Sequence, residues 1–148
     1  MTPNEEVFDN PKGWVAKHIR NYVESDGKKG HRWNGVDTLL LTTLGRRTGK
    51  LRRTALIYGR DGDRYVVVAS VGGAKNHPSW YLNLRENPQA RVQVGAEIFE
   101  ARAATARPKD RTRLWREMVS IWPKYERYQM KCAREIPVVI LERTNGEG

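Results

Sequence analysis

The 148-residue chain predicts an α+β fold. About six mostly antiparallel strands form a sheet or small barrel, with an N-terminal helix and two to three further helices. Three observations predict it. Apolar, β-branched runs recur with turn signals between them: a glycine-bearing turn after Leu44, then Asp61-Gly62-Asp63, then Gly95-Ala96. Helical spacing of apolar residues appears at the start and again late in the chain. No internal repeat, low-complexity tract or linker is present, so 1–148 read as one domain, with 145–148 as a tail.

Residues 11–24 form the first helix. Trp14, Val15, His18, Ile19, Tyr22 and Val23 recur every three to four positions, Lys12, Lys17, Arg20 and Glu24 face elsewhere, and Asp26-Gly27 ends it. Lys28 to Gly35 is a basic loop. Thr38–Leu44 is the first strand and Arg53–Tyr58 pairs with it across the basic turn. Tyr65–Ser70 is a buried strand, and Gly72-Gly73-Ala74 breaks the chain. A short helix runs from Pro78 to Asn87, with the proline near its first turn. Arg91–Val94 and Ile98–Ala104 form another hairpin. Lys109 to about Met118 is a helix, Trp122-Pro123 interrupts it, and Tyr125, Tyr128 and Gln129 sit on a further helical turn. Pro137 starts the last strand, Val138–Leu141.

Net charge is +10 and the pI about 10.0, which implies anionic partners: nucleic acid, a membrane surface or an acidic small molecule. One cysteine, Cys132, excludes an intrachain disulfide and fits a reducing cytoplasm, and with only His18, His31 and His77 beside it no metal cluster is supported. The N-terminus lacks the basic and apolar stretches of a signal peptide. No apolar run approaches the roughly 18–20 residues that span a bilayer, so the chain reads as soluble or at most peripheral. The first helix has two uses: packing on the sheet, or lying on an anionic membrane with Trp14 and Tyr22 as anchors.

Three segments carry chemistry. The first is Gly45-Arg46-Arg47-Thr48-Gly49-Lys50-Leu51-Arg52-Arg53. It is not a Walker loop, because Gly49-Lys50 runs into Leu51 and a strand. Five like charges on one turn repel, and an anion bound by backbone amides and arginine forks offsets that. A solvated tip that keeps a sheet edge soluble is the other reading. The second, Ser70 to Leu84, runs from strand end through glycine loop to helix start, where Lys75 and the helix N-terminus favour negative charge; a tight connection with Trp80 in the core is the plain alternative. The third, Trp122 to Gln129, puts Trp122, Tyr125 and Tyr128 near one helical face, as a wall for a planar ligand or as core packing. There is no G-x-S-x-G, H-E-x-x-H, C-x-x-C or Rossmann fingerprint, so a cofactor has to supply any hard chemistry.

The order and spacing of these segments resemble the deazaflavin (F420)-dependent nitroreductase family, a branch of the flavin-binding split β-barrel proteins. The marks are Gly45-Arg46-Arg47-Thr48-Gly49-x-x-Arg52, then Gly72-Gly73-Ala74 with Pro78-Ser79-Trp80-Tyr81-Leu82-Asn83-Leu84-x-x-Asn87-Pro88, then Tyr125-x-x-Tyr128-Gln129 with Arg134-x-Ile136-Pro137-Val138-Val139. They extend over roughly residues 30–143. The resemblance implies a split β-barrel that holds the reduced deazaflavin coenzyme F420, with its phosphate and oligoglutamate tail. It implies hydride transfer from ring carbon C5 to a planar acceptor: a quinone, a nitroaromatic or similar.

By the same resemblance Arg46, Arg47 and Arg52 meet the anionic tail, with Thr48, Gly49 and Lys50 near it. Leu56 and Ile57 line the ring; Ala69, Ser70, Val71, Gly73, Ala74 and Lys75 follow the ring and ribityl chain; Trp80 and Asn83 belong to the helix beyond. Trp122, Tyr125 and Tyr128 form a lid over the acceptor, Tyr125 being the first candidate to orient or protonate it and Ser70 the second. No metal is implied, and the assembly is a monomer or homodimer. The chain departs from the family pattern at Ala55 in place of proline, His77 in place of asparagine and Trp122 in place of a lid tyrosine. An FMN- or haem-binding split barrel is the runner-up, and a basic nucleic-acid-binding module is the alternative of another class, against which no binding motif is present.

Overall fold

A computed structural model describes residue 1 and residues 5–144; the tail assigned to 145–148 lies outside the described residues. In chain order the elements are β1 (Val7–Asp9), α1 (Gly13–Glu24), β2 (Arg32–Trp33), β3 (Val36–Leu44), β4 (Leu51–Ile57), β5 (Gly59–Asp61) and β6 (Arg64–Val68). A 3-10 turn (Val71–Gly73) then leads to α2 (Ser79–Glu86), β7 (Gln89–Val94), β8 (Glu97–Thr105), α3 (Pro108–Ile121), α4 (Lys124–Lys131) and β9 (Val138–Arg143). The strands pair in the order β1-β4-β3-β7-β8-β9-β6-β5, with β2 hung on β3, so the hydrogen-bonded path is open at both ends.

The α+β class holds, and the strand count is corrected from about six to nine. The three additions are short. β1 pairs parallel to β4, the one departure from antiparallel pairing among the described strands. β2 lies within the expected basic loop and turns into β3 through Asn34-Gly35, both at positive φ (47° and 82°), the geometry of a type I′ hairpin. β5 ends at Asp61, so the Asp61-Gly62-Asp63 turn joins β5 to β6 and not β4 to β6.

Strand alternation explains the layers. Leu39 and Leu41 of β3 point into the central core with Val67, Val92, Ala101, Val139 and Leu141, while Leu40 points the other way onto Val15, Ile19 and Tyr22 of α1. In β6 the same alternation sends Val66 and Val68 outward onto Leu114 and Met118 of α3, Tyr125 of α4 and Ile136. The sheet is therefore covered on both outer faces, by α1 on one flank and by α3 and α4 on the other.

The apolar face of α1 is used in packing. Tyr22 is fully buried, its hydroxyl donating to Thr38 O (3.0 Å) and accepting from Gly95 N (2.8 Å). Gly27, at φ 83°, lies against Gly95 so closely that a Cβ would stand 2.4 Å from its Cα. Trp14 and Val23 remain exposed. Among the described residues no helix is long and apolar enough to cross a membrane.

Candidate functional site

β3 and β4 run in register up to Leu44↔Leu51 and hold the basic turn between them. The turn closes on itself: Gly45 N donates to Lys50 O (2.7 Å), Gly49 N to Gly45 O (2.8 Å) and Lys50 N to Thr48 Oγ1 (3.2 Å). Asn83 of α2 anchors it from the side. Its Oδ1 accepts from the backbone N (3.2 Å) and from Nη1 (2.9 Å) of Arg46, and its Nδ2 donates to Thr43 Oγ1 (3.1 Å).

The five cations have different surroundings. Arg53 forms a two-pronged ion pair with Asp9 (2.6 and 3.2 Å). The Lys50 ammonium and the Arg52 guanidinium lie over the Phe8 ring at 4.9 and 5.4 Å. Arg46, Arg47, Lys50 and Arg52 have no carboxylate partner among the described residues. Arg46, Arg47, Thr48 and Arg52 line a cavity of about 530 Å³, closed by Phe8 and Asn10 on one side and by Ser79, Trp80 and Asn83 on the other. Its lining carries four arginines, Arg46, Arg47, Arg52 and Arg53, against one carboxylate, Asp9, and the first turn of α2 borders it.

A second cavity, of about 440 Å³, adjoins it and shares Asn10, Thr54, Val71, Pro78 and Trp80. Its walls are Leu56 and Ile57 of β4, Ser70 beyond β6, and the group Trp122, Tyr125 and Tyr128. Lys12 is the one residue of fixed charge among its described lining, and no carboxylate is there. Burial pushes the Tyr125 phenol far above its ordinary pKa, with Tyr128 adding to the effect, so the phenol keeps its proton through the working pH range. Val71 stands exposed at the junction with φ 43°, a left-handed conformation that is costly for a β-branched residue.

Six candidates lie outside both linings. Gly49 and Lys50 form the tip of the turn. Ala69 is in the central core. Gly73 is packed on α4, where a Cβ would stand 2.8 Å from Tyr128 O. Ala74 and Lys75 are exposed beyond it. The loop is held from behind by Arg134, which donates to Ala69 O (3.2 Å), Ser70 O (3.0 Å) and Ala74 O (3.1 Å).

Arg134 also meets His77 Nδ1 at 3.0 Å, and arginine being only a donor, that nitrogen accepts. Burial, then Arg134 and Arg85, lowers the His77 pKa from 6.5. A histidine with a depressed folded pKa contributes stability that is present above the unfolded pKa and lost as pH falls through the folded one. Thermal stability is therefore expected to fall on acidification below about pH 6.5. His77→Asn, which keeps an acceptor for Arg134 and cannot titrate, is expected to shrink that loss, as read from melting temperatures between pH 5 and 8.

Several lining residues escaped the sequence reading. Phe8, Asn10 and Thr54 border the basic cavity, and Trp14, His18 and Trp33 border the aromatic one. Asn10 had a local signal, preceding Pro11 and capping the approach to α1 by accepting from Lys12 N (3.0 Å). Trp33 had one in the Asn34-Gly35 that follows it. The departures from the family pattern are also accommodated: Ala55 packs on the α1 cluster, and Trp122 tilts against Trp33 with ring centroids 5.5 Å apart.

Comparisons with known proteins show what the chain is similar to. The F420H(2)-dependent quinone reductase of Mycobacterium tuberculosis (strain ATCC 25618 / H37Rv) is 41% identical over 143 residues, covering 88% of this chain and 96% of that protein. A solved structure described as an F420-H2 dependent reductase (FDR-A) superposes with a TM-score of 0.66 at 38% identity, over 71% of this chain and 93% of that one. Another, described as a domain-swapped dimer, gives 0.69 at 34% identity, over 90% of this chain and all (100%) of that one. The sequence profile of the F420H(2)-dependent quinone reductases matches residues 14–143, and the chain belongs to that family.

Proposed function

We propose that the chain transfers hydride from reduced coenzyme F420 to a quinone-type acceptor, with nitroaromatics as a further class of electrophile. The observation that carries this reading is the junction of two cavities of opposite chemistry, one cationic and one aromatic, through Asn10, Thr54, Val71, Pro78 and Trp80. Such a pair suits one molecule with a polyanionic tail and a flat ring. Family membership supports F420 over FMN or haem, and so does charge, since three cavity-lining arginines without carboxylate partners, Arg46, Arg47 and Arg52, match several negative charges better than a single phosphate. The same cavities absorb the basic turn, which leaves the nucleic-acid alternative without support of its own. The open nine-stranded sheet with its covering helices is read as a split barrel.

Arg46, Arg47 and Arg52 bind the tail, and Asn83 holds Arg46 in place. Leu56, Ile57, Val71 and Trp80 bracket the ring and exclude water. Bound F420H2 supplies the hydride. Tyr125 and Ser70, both lining the aromatic cavity, present hydroxyl hydrogens to the acceptor oxygen, Tyr125 being the first candidate. Trp122 and Tyr128 keep the acceptor flat beside the ring. No residue has to act as a nucleophile, so orientation and desolvation are the chain's contribution.

Anaerobic mixing of the protein with F420H2 and a quinone tests this, read as the return of the oxidised coenzyme's absorbance. Tyr125→Phe is expected to leave F420 affinity within about twofold while lowering quinone turnover on the order of 10²-fold. Equal loss of coenzyme affinity in that variant would remove Tyr125 from the acceptor side.

A further inference from the structure

The turn after β6 holds hydrogen-bond donors that the described protein leaves unused. Arg134 sits behind it and donates to two successive carbonyls, Ala69 O (3.2 Å) and Ser70 O (3.0 Å). In a trans peptide the N–H points opposite to its C=O, so the N–H groups of Ser70 and Val71 are turned away from Arg134. Ser70 is right-handed (φ −91°, ψ −39°) and Val71 left-handed (φ 43°), the succession that makes neighbouring N–H groups converge on one concave spot. Neither N–H has an acceptor among the described residues. Nor has Ser70 Oγ a partner there, although Ser70 is only 8% exposed. Ser70, Val71 and Gly72 all border the aromatic cavity, and of the three only Val71 also borders the basic one. A Cβ on Gly72 would meet nothing within 4 Å, so the approach to this spot is open.

We propose that the N–H groups of Ser70 and Val71, together with the Ser70 hydroxyl, form an oxyanion site for the acceptor oxygen that becomes negative as hydride arrives. The inference rests on the reading of the site as an F420-dependent quinone reductase. Hydride carries two electrons to a neutral quinone and leaves it as the hydroquinone monoanion. The proton that completes the hydroquinone is balanced by the one that the oxidised coenzyme gives up to water. Fixed backbone donors suit the charged moment between these steps, because they need no reorganisation and strengthen as the oxygen gains charge. Arg134 binds the same two peptides by their carbonyls, which polarises their N–H groups and places a positive charge behind them. No carboxylate in the described lining opposes an anion there. The left-handed valine is thereby explained: it keeps two donors on one spot.

The test removes one donor and keeps every side chain. Replacing Val71 by its α-hydroxy acid turns the Ser70–Val71 amide into an ester and deletes that N–H alone. The kcat for 1,4-benzoquinone is expected to fall about tenfold or more, with KM and F420 affinity each within about threefold. A second readout needs no turnover: 4-fluorophenol bound to protein holding oxidised F420, titrated by fluorine NMR. Its pKa is expected to drop on binding by about one pH unit or more, and the drop to shrink in the ester variant. Lys12→Gln, which removes the one fixed charge of the described lining, is expected to retain most of that drop. Unchanged kcat in the ester variant, an unshifted phenol in the unaltered protein, or a drop that vanishes with Lys12 would overturn the site. Loss of F420 affinity in step with turnover would give these donors to the coenzyme and overturn it as well. Failure of the unaltered protein to bind F420 would instead overturn the coenzyme reading. The phenol titration in coenzyme-free protein then still reads the donors: a drop that shrinks in the ester variant upholds them, and no drop overturns them.

Discussion

Arg46→Ala combined with Arg52→Ala is expected to weaken F420 binding by roughly 10²- to 10³-fold while leaving the fold intact. Each arginine offers a forked donor to an anionic tail, and removing one charge-assisted hydrogen bond at a partly exposed site costs about 1.5 kcal/mol or more. The two sites differ in what they leave behind. Arg46 gives up bonds to Asn83 Oδ1 and Ser79 O, yet Asn83 still accepts from the Arg46 backbone N (3.2 Å), so the turn stays anchored. Arg52 gives up its place over Phe8, a face that Lys50 still shares. The salt dependence of coenzyme affinity should flatten in the double variant, because exposed charges are what salt screens. Fluorescence titration at two ionic strengths, with a melting curve for each variant, reads both effects.

Gly73→Ala is expected to be the most damaging single change near the site. Gly73 has φ 85°, and a Cβ there would stand 2.8 Å from Tyr128 O and 3.0 Å from Tyr128 Cα, both backbone atoms of α4. The substitution strains the turn and pushes it off the helix that carries Tyr125 and Tyr128. A stability loss of about 2–3 kcal/mol is expected, together with a fall in quinone turnover of more than about tenfold. Gly72→Ala is the control. Gly72 also sits at positive φ (60°) but has open space around the Cβ position, so only the left-handed backbone cost of about 1–2 kcal/mol applies. The difference between the two, by urea denaturation and quinone kinetics, isolates the packing of the loop on α4.

The main strands and helices were legible because their signals are local. β3 reads as a strand from Thr38 to Leu44, and α1 reads as a helix from the spacing of Val15, Ile19 and Tyr22. β1 and β2 were not, because strands of three and two residues carry too little alternation and gain their order from β4 and β3. At the candidate site, charge and glycine placement pointed to residues that line the basic cavity, and the aromatic segment to residues that line the second. The role of Asn83 as the clamp on Arg46 depends on a hydrogen bond across 37 positions, which spacing does not reveal. Arg134 likewise reaches back 60 to 65 positions to fix the Ser70 loop. Phe8, Trp14 and Trp33 precede the strongest motifs, and their share in the cavities follows from how β1 and α1 dock on β4 and β2 pairs with β3. Gly73, Ala74 and Lys75 sit in a matching motif but face α4 and solvent, because three carbonyl bonds to Arg134 and the approach to Tyr128 set the direction of that loop.

The most direct measurement is a titration of the full chain with oxidised F420 and, separately, with FMN, followed by fluorescence, in the unaltered protein and in the Arg46→Ala/Arg52→Ala variant. Saturable F420 binding that tightens with tail length, exceeds FMN affinity and weakens in the double variant is expected if the basic and aromatic cavities hold one coenzyme between them. Tight FMN binding with no F420 binding, or F420 affinity indifferent to both arginines, would contradict it.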